Sequence, residues 1–76
     1  MKLISNHPQV MPVFIDDKGN AMKYKDGIKE LRHSKKMNAQ QFGELLGVTF
    51  RTVQNWEAGR EPSLMALLFM KHLFNL

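Results

Sequence analysis

Within six residues the chain places Phe50, Arg51, Gln54 and Asn55, four side chains with complementary talents. Arg51 carries a planar guanidinium that presents two parallel donors. Gln54 and Asn55 each carry an amide that sets a donor beside an acceptor, and Phe50 offers a bare apolar ring. These groups match what base pairs expose in a major groove: guanine's two acceptors, adenine's acceptor and donor, and the methyl of thymine. Phe50 has a second option, which is to staple the start of its helix against its own core.

A second set of residues suits phosphate. Asn38, Gln40 and Gln41 sit where a helix begins, and helix N-termini favour anions through their free amides. Thr49 and Thr52 add hydroxyl donors, and Arg60 adds a guanidinium in the loop that follows. Lys35 and Lys36 lie nearby, either on phosphate or as cations complementing the end of the preceding helix. Residues 1–26 hold four lysines and three aspartates, a net +1, whereas residues 27–76 hold seven basic and four acidic residues, a net +3. The positive charge therefore sits with these groups, where an anionic partner would dock.

Other chemistries find little support. His7, His33 and His72 lack metal-ligand spacing, no serine or cysteine motif supplies a nucleophile, and the chain contains no cysteine. No cofactor and no catalytic role are expected. The first residues lack the apolar run of a signal peptide, and Leu64 to Met70 is too short to cross a bilayer. A cytoplasmic location follows as the expectation.

The elements that must position these groups can be read from the punctuation. Residues 1–25 form an N-terminal arm and a β-hairpin, with strands over 11–16 and 20–25. Val10, Val13, Phe14 and Ile15 precede the turn signal Asp16-Asp17-Lys18-Gly19-Asn20, and Ala21, Met22 and Tyr24 follow it. Residues 26–76 are helical. Asp26 or Gly27 opens a first helix with Ile28 and Leu31 on its apolar face. Asn38 caps a second helix, with Gln41 placed for a capping box, and Gly47 ends it at Leu46. Thr49 caps a third, which runs through Trp56 and stops at Gly59. Pro62 and Ser63 then introduce a fourth, from Leu64 to about Phe74.

Between Ala39 and Ala58 the pattern becomes specific. Phe42 with Leu45 or Leu46, and Val53 with Trp56, are apolar at helical spacing. Gly43 is minimal where helices approach, Gly47 makes the turn, and Val48 plugs the space beneath. Two short helices around a glycine turn make a helix-turn-helix, whose second helix enters the major groove. The stretch Ile28–Leu73 resembles the Cro/repressor (Xre-like) family, as a small phage-repressor or antitoxin-like member. The segments Ile28-Lys29-Glu30-Leu31-Arg32, Asn38-Ala39-Gln40-Gln41-Phe42, Leu45-Leu46-Gly47-Val48-Thr49, Val53-Gln54-Asn55-Trp56-Glu57-Ala58-Gly59 and Arg60-Glu61-Pro62-Ser63-Leu64 carry the likeness. It implies a mainly α fold: a lambda-repressor-like bundle of four helices, here with an N-terminal β-hairpin. It also implies a structural ion pair between Arg32 and Glu57, tying the first helix to the reading helix. Phe50 departs from the family's habit of a polar residue at that position.

The resemblance implies a sequence-specific transcriptional regulator that reads double-stranded DNA with helix 50–58, as a dimeric repressor or autorepressor. The alternative is an antitoxin, which binds a toxin protein as well as DNA. The last helix bears on this choice because it is apolar nearly all round. Leu67, Met70 and Phe74 lie on one flank, and Met65, Phe69, Leu73 and Leu76 on the other. One flank is assigned to the core. The other, centred on Met65, Phe69 and Leu73, is assigned to a homodimer interface, unless the hairpin of the same chain covers it.

Overall fold

Leu3 and Phe14 sit opposite each other on neighbouring strands and both turn wholly away from solvent. The structure is a computed structural model that describes residues 1–4 and 11–76; His7 and Val10 lie outside these. Its strands are β1 (Lys2–Ile4), β2 (Val13–Ile15) and β3 (Ala21–Met22), an antiparallel sheet in the order β1-β2-β3. Its helices are α1 (Tyr24–Ser34), α2 (Ala39–Leu46), α3 (Phe50–Glu57) and α4 (Leu64–Leu73).

The turn between β2 and β3 forms where its residues predict. The Asp16 carboxylate accepts from the amides of Lys18 and Asn20, each at 2.9 Å. Four features differ from the sequence expectation, the first being that the strand expected over 11–16 is only Val13–Ile15. The arm contains a strand, β1, so the hairpin is part of a three-stranded sheet. The stretch 20–25 is strand only at Ala21–Met22, and α1 begins at Tyr24 rather than at Asp26 or Gly27. Lys23 stands at the cap without a capping side chain, so the usual start signal is missing there. Tyr24 anchors the helix head instead: its hydroxyl donates to the Pro12 carbonyl at 2.7 Å, and its ring meets Phe14 edge-on at 6.3 Å.

Gly27 is therefore inside α1, buried beneath Phe14. A Cβ at this position would lie 2.4 Å from the Phe14 ring, so the sheet rests on the helix at its one bare residue. Ile28, Leu31, Phe42, Leu46, Val53, Trp56, Leu67 and Met70 complete a single core with Leu3 and Phe14. Among the described residues, no polar or charged one is buried in it.

The starts of α2, α3 and α4 agree with the sequence. Asn38 accepts from the Gln41 amide at 2.8 Å, and the Gln41 side chain accepts from the Asn38 amide at 3.0 Å, which completes the capping box. Thr49 and Ser63 cap α3 and α4. Gly47 closes α2 at φ +75°, in the left-handed region that a side chain disfavours. Replacing Asn38 by alanine removes one capping bond and should lower the unfolding free energy by about 1 kcal/mol. Urea titration followed by circular dichroism measures it; an unchanged midpoint would show that water caps α2 equally well.

Candidate nucleic-acid interface

The site is built on α2 and α3, joined by the turn Gly47-Val48-Thr49. The two helices meet at Gly43, where an added Cβ would stand 2.7 Å from the Val48 carbonyl oxygen. Val48 is half-buried beneath the turn, with Val53 and Trp56 buried on the inner side of α3. Of the two candidate leucines in α2, Leu46 is buried and Leu45 is exposed.

With its inner side fixed, α3 turns a defined arc outward. At about 100° per residue, Phe50, Gln54, Arg51 and Asn55 fall within an arc of about 140°. Phe50, Arg51 and Gln54 are exposed and Asn55 is half-buried. The structure thus brings all four residues onto one face. Phe50 is 50% exposed and lies outside the core cluster. Val48 and Val53 hold the two positions of a hydrophobic staple around the Thr49 cap. Among the described residues no salt bridge engages Arg51.

The flanking residues separate into engaged and available groups. Asn38 and Gln41 spend their side chains on the capping box, and Gln40 donates to Glu44 at 3.3 Å. Thr49 accepts from the Thr52 amide, and the two hydroxyls lie 3.1 Å apart. Arg60 is exposed in the loop after α3, which folds back so that its amide donates to the Asn55 carbonyl at 2.9 Å. Lys35 places its ammonium 5.7 Å from the Phe74 ring, which itself stacks on Phe42. Lys35 thus covers the edge of the core. Lys36 is exposed at the left-handed bend before α2, with φ +56°.

Arg32 and Glu57 pair in a fork. Nε donates to one carboxylate oxygen at 2.8 Å and Nη2 to the other at 2.9 Å, with both side chains 15% exposed. Arg32 also donates from Nη1 to the Met37 carbonyl at 3.1 Å, so one side chain fastens α1, the approach to α2 and the end of α3. That third bond has no counterpart in the sequence reading. The hydrogen bonds that Arg32 donates to the Glu57 carboxylate push its pKa further up, so the guanidinium stays charged.

On α4, Leu67 and Met70 are buried, while Met65 is 73%, Phe69 43% and Leu73 37% exposed. The sheet of the same chain leaves these three uncovered. A shallow groove beside them is lined by Leu46, Val48, Trp56, Met65 and Phe69. The outer side of the sheet carries Ile4, exposed, and Val13 and Ile15, half-buried, with the exposed Lys2 opposite Ile15. Among the described residues no group of acidic or histidine side chains could hold a metal ion, and no helix is long and apolar enough to cross a membrane. His33 and His72 are exposed.

A family model described as helix-turn-helix matches residues 28–75. No curated protein and no solved structure matches the chain.

Proposed function

From the premise that the chain belongs to the Cro/Xre-like helix-turn-helix family and is a DNA-binding transcriptional regulator, we propose that it is a dimeric repressor or autorepressor acting in the cytoplasm. The observation that carries this is the outward arc of α3, where Arg51, Gln54 and Asn55 are held by a buried stripe and a forked ion pair. Arg51 takes guanine, Gln54 or Asn55 takes adenine, and Phe50 stands at the head of the same face. Asn38, Gln40 and Gln41 present the start of α2 to one phosphate strand. Thr49, Thr52 and Arg60 contact the backbone around the reading helix.

The test is a gel shift against the DNA upstream of the protein's own gene, at two salt concentrations. Specific retention that weakens with salt supports the proposal, and equal affinity for unrelated DNA removes it. Arg60→Ala should weaken binding to all sequences alike and lower the salt slope by about one.

Dimerisation is proposed through Met65, Phe69 and Leu73, whose exposure leaves an apolar strip on α4. A symmetric pair would read a palindromic site with half-sites about one turn of DNA apart. Sedimentation at micromolar concentration checks this, and a clean monomer rules it out. The second reading, an antitoxin, is favoured by the cluster of Ile4, Val13 and Ile15 beside Lys2 on the outer face of the sheet, separate from the α4 strip. A stoichiometric complex with the co-expressed product of an adjacent gene would select it.

A further inference from the structure

Phe50 is the member of the reading face that packing explains least. It is the first residue of α3 and 50% exposed, and the core closes without it. Val53 and Trp56 already fill the inner side of the helix, and Val48 fills the space before it. The groove beside the exposed α4 strip is lined by Leu46, Val48, Trp56, Met65 and Phe69, and Phe50 is not part of it. An apolar ring therefore projects from the end of α3 that leads into a major groove, on the same side as Gln54 one turn later.

The chemistry of the groove limits what such a ring can meet. Base edges there offer hydrogen-bond donors and acceptors, which a phenyl ring cannot satisfy, and one apolar group, the 5-methyl of thymine. We propose that Phe50 is a specificity-determining residue that reads the 5-methyl group of a pyrimidine, while Gln54 takes the adenine of an adjacent pair. The proposal rests on the DNA-binding reading above and adds a ligand class to it: C5-methylated pyrimidines. The contact senses the methyl rather than the rest of the base. A 5-methylcytosine at the same position therefore recovers part of the affinity that an unmethylated cytosine loses.

The probe is a duplex selected by the wild-type protein from a random-sequence pool, with each thymine replaced in turn by deoxyuridine. Affinity is measured by fluorescence anisotropy at fixed salt. At one thymine per half-site, loss of the methyl should weaken the wild type about three- to five-fold, while F50A binds the thymine and deoxyuridine duplexes equally. F50A should keep the wild-type melting temperature and sedimentation, because the ring is outside the core. A wild type indifferent to deoxyuridine at every position overturns the proposal but leaves DNA binding intact. So does an F50A protein that keeps the full deoxyuridine penalty, or one that changes only its oligomeric state. If no duplex is retained from the pool, the DNA-binding reading falls and this inference falls with it.

Discussion

Glu57→Ala is expected to lower the unfolding free energy by about 3 kcal/mol, near the lower end for breaking one partner of a buried pair. Both side chains keep 15% exposure, so water relieves part of the charge that is left behind. The loss is still large because Arg32 has nowhere else to go. Its Nη1 is held by the Met37 carbonyl, and the fork that would swing away is fixed by the same bond. Arg32→Met combined with E57L should cost less than Glu57→Ala alone, since no unpaired charge then remains. A urea double-mutant cycle measures both. A single-mutant loss below about 0.5 kcal/mol would put the pair with ordinary surface bridges. For a domain of this size, about 3 kcal/mol is a large part of the net stability. Glu57→Ala should therefore also weaken DNA binding, through the fraction unfolded and the looser end of α3, without changing which sequence is preferred.

The elements that could be read from the sequence are those whose signals are local. Asn38 with Gln41, Thr49 and Ser63 announce helix starts through bonds made within four residues, and Gly47 marks a stop by its own backbone. The stripe of Val53 and Trp56 needs only helical periodicity. What escaped depends on distant partners. β1 is three residues long and exists because Leu3 meets Phe14 across the sheet, a pairing with no local trace. The start of α1 is set by Tyr24 reaching back to Pro12 and Phe14, while Lys23 gives no capping signal. Gly27 looked like a helix opener, and only the Phe14 ring above it explains why no side chain fits. The same division holds at the site. Residue types and spacing identify the four outward residues of α3, but the bond from Arg32 to Met37 depends on the path of the chain through Lys36.

Arg51→Ala is expected to weaken binding to the preferred site by about 1–3 kcal/mol and to relax sequence preference at one base position. Arg51 is exposed on the outward arc, and among the described residues no salt bridge competes for it. Two parallel donors to guanine lose their geometry with any shorter side chain, and lysine restores the charge without the fork. Arg51→Lys should therefore recover general affinity and salt dependence while leaving the lost base preference unrestored. Arg60 supplies the contrast. It has the same charge but lies in the loop after α3, and its removal should lower affinity uniformly. Selection from a random duplex pool with each variant, at matched salt, separates base reading from charge. If Arg51→Ala selected the wild-type sequence with only uniform weakening, Arg51 would be a phosphate contact. The docking of α3 would then have to be turned about its axis to bring Gln54 and Asn55 to the centre of the groove.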